Sequence, residues 1–160
     1  MVNTHHHFDH AGGLGAFVAE GVTIITHDSN KAFFEQSLAA PRTVQPDKLA
    51  QSGKKAVIEG MQDKRVLSDG TRTLELHLIK GTLHDDGIIM AYLPNEKLLV
   101  EADVYTPAAP NAASPAQPNP LHVNLYENLQ RLNLAVDQIL PIHGRKVPLS
   151  ELQKWIGKSS

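Results

Sequence analysis

His5, His7, Asp9 and His10 fall within the stretch His5-His6-His7-Phe8-Asp9-His10, and this set of donors is the most informative feature of the chain. Imidazole nitrogen combined with carboxylate oxygen suits a borderline divalent cation such as zinc. His5 and His7 occupy alternate positions and point the same way, while Asp9 and His10 project from the turn that follows. Each pair holds too few ligands for a closed site, so two ions would need partners from elsewhere in the chain. Phe8 and Asp9 interrupt the histidines, which sets the stretch apart from the plain histidine run of an expression tag.

Three residues stand where such partners are needed. His84 lies in Gly81-Thr82-Leu83-His84-Asp85-Asp86-Gly87, Asp103 follows Leu98-Leu99-Val100-Glu101-Ala102, and His143 follows Val136 to Pro141. All three come just past expected strand ends, so one edge of a sheet would gather them, and an open coordination position there would hold water. Singly they have plainer readings: a loop histidine, a helix cap and a turn residue. Their joint order with the first cluster favours the metal reading. His6, His27, His77 and His122 lack that support and are expected to face solvent or to be satisfied by local hydrogen bonds, with His6 orienting its neighbours. Tyr105 is expected at the surface, and Asp85 and Asp86 as solvated loop carboxylates.

The elements that position these residues alternate between strand and helix. Val22 to Thr26 is a β-branched run and reads as a buried strand. Asp28 or Ser29 caps a helix that ends before Pro41. Residues 41–55 read as loop. Lys64 to Leu67 and Thr71 to Ile79 read as strands, with Leu74, Leu76 and Leu78 on one face and Glu75 and His77 on the other. Gly87 to Leu93 and Lys97 to Ala102 flank Pro94-Asn95-Glu96 as a hairpin. A Pro- and Ala-rich surface loop occupies 106–120. Leu121 to Leu134 is an amphipathic helix with Leu125, Leu129 and Leu132 inward, Val136 to Leu140 is a strand, and Ser150 caps a last helix with Trp155 in the core. These alternations indicate an α/β layered domain.

The chain has 160 residues, enough for one domain with a sizeable core. Its 41% hydrophobic and 20% charged residues exclude a disordered or collagen-like chain. A net charge of −2 without charge blocks speaks against nucleic-acid and membrane-surface partners. Zero cysteines exclude disulfides, zinc-thiolate sites and thiol chemistry. The first residues lack the basic and apolar regions of a signal peptide, no apolar run is long enough to span a membrane, and the compartment stays open.

The motifs resemble those of the metallo-β-lactamase-fold hydrolase superfamily. Its His-x-His-x-Asp-His signature matches His5 to His10, Ala11-Gly12-Gly13-Leu14 resembles the usual continuation, and the later single His, Asp and His fall on His84, Asp103 and His143. The resemblance covers nearly the whole chain. It implies an α/β fold of the αββα sandwich type, in a single domain spanning 1–160. It further implies that His5, His7 and His84 hold one divalent ion, Asp9, His10 and His143 another, and that Asp103 bridges them. Zinc is the first choice of metal, with manganese or iron as alternatives. Members of the family normally place several strands ahead of the His-rich motif, which here begins at residue 5. The domain is therefore expected to be partial, N-terminally truncated, and to cover its open sheet by forming a homo-oligomer.

The resemblance also implies chemistry. A hydroxide between the two ions would cleave an ester, lactone, thioester or similar bond of a small-molecule substrate, with Asp9 orienting the nucleophile or relaying its proton. Asp103 would fix the separation of the ions near about 3.5 Å. The bridging carboxylate is usual in glyoxalase II-like, lactonase-like and phosphodiesterase-like members and unusual in true β-lactamases. The alternative is a truncated, partner-dependent metal-binding module without catalysis of its own. Redox chemistry on iron is disfavoured because no cysteine or flavin motif is present.

Overall fold

The computed structural model describes residues 1–113 and 115–158, so Ser114 of the Pro-rich loop lies outside the described residues. The chain forms two compact units, Met1–Asp63 and Lys64–Ser160.

The first unit runs α1 (Phe8–Ala11), α2 (Leu14–Ala19), β1 (Ile24–His27), α3 (Asp28–Ala39), α4 (Lys48–Ser52) and β2 (Ile58–Met61). The β-branched run forms β1, which pairs in parallel with β2 from Ile24↔Ile58 to His27↔Met61. Parallel pairing requires a long crossover, and α3 and α4 supply it. Leu14, Val18, Ile24, Phe34, Leu38, Leu49 and Ile58 bury together as the core. The cap of α3 is His27, neither Asp28 nor Ser29: its backbone is extended and its Nδ1 accepts the Ser29 N–H at 3.2 Å. The expected loop 41–55 contains α4, which Asp47 caps through Oδ1 and the Ala50 N–H at 2.9 Å and which Gly53 ends at φ 65°. Within β2, a Cβ on Gly60 would collide with the Asp28 carboxylate, so glycine there lets α3 start against the strand.

The second unit is a six-stranded sheet in the order β3-β4-β5-β6-β7-β8, with helices α5 (Pro120–Arg131) and α6 (Leu149–Trp155). Its strands are Lys64–Ser68, Thr73–Leu78, Ile89–Leu93, Leu98–Glu101, Gln138–Pro141 and Val147–Pro148. Short connections make β3 to β6 antiparallel, whereas β6 and β7 are parallel because α5 and the Pro-rich loop lie between them. The Pro-rich loop carries no strand or α-helix among its described residues before Pro120.

Asn119 caps α5 through the Leu121 N–H at 2.9 Å, with Pro120 at the first helical position, where its missing N–H costs nothing. Leu125 and Leu129 are fully buried against the sheet and Leu132 partly so. Trp155 is only half-buried, and Leu152 and Ile156 take the core positions of α6 instead. That helix starts two residues earlier than expected: its N-cap is Pro148, which leaves Ser150 inside the first turn. His77 does not face solvent. Both Leu76 and His77 are buried, and His77 Nε2 lies 2.8 Å from Glu75 Oε2.

Candidate metal centre

In the first unit the histidine cluster sits immediately before and within α1. His7 is the N-cap residue, and its carbonyl accepts the N–H groups of His10 at 3.1 Å and Ala11 at 2.9 Å. That single turn folds His10 back toward the preceding extended segment. The His5 ring lies 4.5 Å from the His7 ring and 4.6 Å from the His10 ring, centroid to centroid. Asp9 Oδ2 is 3.3 Å from His10 Nε2, with the Asp9 side chain 58% exposed. His5 is wholly buried, and Thr4 Oγ1 engages its Nδ1 at 3.1 Å. Asn3, also buried, donates from Nδ2 to the His10 carbonyl at 3.0 Å, and Asn30 Oδ1 pairs with His6 Nδ1 at 3.0 Å. A bond such as that from Thr4 to the His5 ring holds the orientation of a histidine that serves as a ligand, and the Asn3 bond holds the backbone of His10.

Beside the cluster, the same unit holds an open cleft of about 450 Å³ whose walls include Phe8, Phe33, Leu38 and His6, with Lys48 among the lining residues. Phe8 is 86% exposed and packs its ring over Gly12.

In the second unit topology gathers three loops at one sheet edge. Strands β6 and β7 are parallel with Glu101 opposite Pro141, so the chain leaves both at the same edge. Strand β5 runs antiparallel to β6, so the β4–β5 loop that carries His84 opens at that edge too. Asp103 and His143 each lie two residues beyond their strand. Asp103 Oδ2 is 3.0 Å from His84 Nε2, and Asp103 Oδ1 is 3.1 Å from His143 Nε2. One carboxylate thus meets a different imidazole at each oxygen. Asp103 adopts φ 66°, a left-handed conformation rare for residues other than Gly, Asn and Asp. Gly144, at φ 143°, turns the chain after His143, and a Cβ there would lie 2.9 Å from Pro107.

Behind this edge two groups were not foreseen. Glu101 is wholly buried, and burial pushes its carboxyl up to about 8 against the two backbone N–H groups that its Oε2 accepts. Tyr105 is buried rather than at the surface, its ring 4.8 Å from that of His122. Burial raises the Tyr105 phenol and lowers the His122 imidazole from their ordinary values. Asp85 folds back on its own loop, accepting the Gly87 N–H at 2.7 Å.

The family described as the metallo-beta-lactamase superfamily matches residues 1–105, about two thirds of the chain. The chain belongs to the metallo-beta-lactamase superfamily.

Solved structures agree with that membership at the level of fold. A metallo-beta-lactamase from Pontibacter korlensis aligns over 98% of this chain and 66% of its own, with 20% identity and a TM-score of 0.65. The rubredoxin oxygen:oxidoreductase of Desulfovibrio gigas aligns over 98% of this chain and 42% of its own, with 18% identity and a TM-score of 0.68. The metallo-beta-lactamase FIM-1 from Pseudomonas aeruginosa, solved in a mono-zinc form, aligns over 95% and 62%, with 17% identity and a TM-score of 0.59. This metallo-beta-lactamase superfamily chain therefore spans about two thirds or less of the length of these structures. No curated protein matches it. Among the described residues no helix is long and apolar enough to cross a membrane.

The donor set of each unit fits divalent metal. Imidazole rings crowd together around a buried His5 in one, and a carboxylate with an imidazole at each oxygen stands at the sheet edge of the other.

Proposed function

We propose that the chain is a hydrolase of small acyl substrates, an ester, lactone or thioester, that works with two divalent ions, zinc foremost. In this reading His5, His7 and His84 hold one ion, Asp9, His10 and His143 the other, and Asp103 spans both. The observation that carries it is the Asp103 carboxylate, which presents one oxygen to His84 and the other to His143. Bound divalent ions supply Lewis acidity for the carbonyl oxygen and lower the pKa of water. The chain's residues do the rest. Thr4 and Asn3 hold the first histidine cluster in place, His6 is tied back to Asn30, and the exposed Asp9 carboxylate, while remaining a ligand, orients the water nucleophile or relays its proton. Phe8, Phe33 and Leu38 offer an apolar wall for the acyl portion of the substrate, which favours acyl over phosphate esters.

Elemental analysis combined with turnover on a panel of p-nitrophenyl esters, lactones, thioesters and phosphodiesters tests this. The expected result is two equivalents of metal and turnover on acyl substrates. Protein that takes up no zinc or manganese, or that turns over nothing on the panel, overturns it.

The two-stranded sheet of the first unit favours a second reading, a metal-binding module that becomes catalytic only with a partner. It requires metal uptake without turnover. A second copy of this chain over the open sheet belongs to either reading.

A further inference from the structure

We infer that the Glu101 side chain is a positioning group that holds the Asp103 carboxylate between His84 and His143; this rests on the ligand assignment proposed above. The Glu101 side chain is wholly buried at the end of β6. Its Oε2 accepts the N–H groups of Val104 and Tyr105, both at 3.2 Å, and these are the two peptide groups that follow Asp103. Its backbone carbonyl accepts the Ile142 N–H at 2.9 Å, and Ile142 immediately precedes His143. The carboxyl thus ties down the backbone that follows Asp103, while the bond to Ile142 comes from the main chain and is independent of the side chain.

Asp103 adopts a left-handed backbone at φ 66°, which an aspartate tolerates and which the bonds to the two following N–H groups hold in place. The Val104 N–H also points to the Ala102 carbonyl at 2.9 Å, closing a tight turn around Asp103. A buried carboxyl group is an expensive way to fill space, and an apolar side chain would do that better. What the apolar side chain lacks is an acceptor that reaches two successive N–H groups. Glu101 Oε1 makes no hydrogen bond among the described residues, so its partners lie on the Asp103 side alone.

The test compares E101Q, which keeps an acceptor oxygen, with E101M, which keeps the volume and removes it, and with L125A as a variant that opens the core of the same unit. Zinc affinity is measured by chelator competition, and the imidazole 15N resonances of His84 and His143 are recorded in the metal-free protein. E101M is expected to weaken zinc binding about 10- to 100-fold and to move both sets of resonances. E101Q should stay within a few-fold of the parent, and L125A should lower the melting temperature without either effect. Parent-like affinity and resonances in E101M, no rescue in E101Q, or an equal loss in L125A would each overturn the inference. If the parent chain binds no zinc, the ligand assignment falls, and the metal-free resonances still decide whether Glu101 sets the Asp103 geometry.

Discussion

Asp103 Oδ1 lies 3.1 Å from His143 Nε2, a contact between residues that follow two adjacent parallel strands. The register of β6 against β7 places them side by side, and the left-handed turn at Asp103 swings its carboxylate toward the loop of His143.

Replacing Asp103 should therefore separate metal binding from backbone strain. D103N keeps a side chain that tolerates the left-handed region, so its melting temperature in the metal-free state should stay near the parent value, while zinc affinity falls at least about tenfold. D103A should lose the same affinity and a further ~1 kcal/mol or more of stability. Chelator competition and thermal unfolding of the two variants check this. Equal stability of D103A and D103N would count against the strain.

Removal of metal should abolish turnover, and zinc or manganese should restore it. Because the folded chain alone carries the assembled ligands, zinc at about 100 times its Kd should add ~2.7 kcal/mol to unfolding stability. Denaturant titrations with and without zinc measure this, and an unchanged midpoint would speak against a preassembled site.

Phe8 is exposed and lines the cleft of the first unit, so F8S should leave folding stability within about 0.5 kcal/mol of the parent. It should raise KM for esters of medium-chain acids about tenfold, as expected for loss of part of a phenyl contact, and leave acetyl esters nearly unaffected. Steady-state kinetics on a chain-length series would show it; a uniform change across the series would remove Phe8 from acyl recognition.

His77 should make the protein acid-sensitive. Burial holds its imidazole below the ordinary 6.5, against the opposing pull of Glu75, with Lys64 and Arg131 adding to the depression. Between 6.5 and that lower value the unfolded chain binds the proton and the folded chain does not, so stability falls as pH drops through this window. Urea midpoints at pH 7 and pH 5 should differ less in H77Q than in the parent. An equal difference would mean that the His77 proton is not excluded by the fold.

Asp69 should behave in the opposite sense to a buried acid. Its carboxylate accepts the N–H groups of Arg72 and Thr71 at 2.7 and 2.8 Å and the Thr71 hydroxyl at 2.8 Å, which holds the β3–β4 turn and lowers its pKa to about 2. The stabilisation is complete above the ordinary 3.8 and is lost as pH falls through about 2. A carboxyl 13C titration with a midpoint near 4 would show that these bonds do not persist in solution.

The seven metal-ligand candidates, the order of most strands and both long helices were legible in the residues themselves. Ligand chemistry restricts donors to few residue types, and His5 to His10 lie close enough in the chain for local geometry to group them. Strand ends announced where His84, Asp103 and His143 would stand. The short elements α4 and β2 were harder to read, because four or five residues hold too little periodicity, although Asp47 and Gly53 mark the ends of α4.

Only the tertiary structure decided what lies behind the ligands. Glu101 reads as one more strand residue until its carboxylate is seen to accept the Val104 and Tyr105 N–H groups, since a backbone donor leaves no mark in residue type. Asn30 meets His6 only because α3 returns to the histidine cluster, and His77 and Tyr105 are buried because neighbouring elements cover them. The sequence by itself determined which donor side chains are on offer to the proposed centre. Packing between distant segments decided how firmly they are held, because burial and backbone hydrogen bonds depend on neighbours that local spacing does not encode.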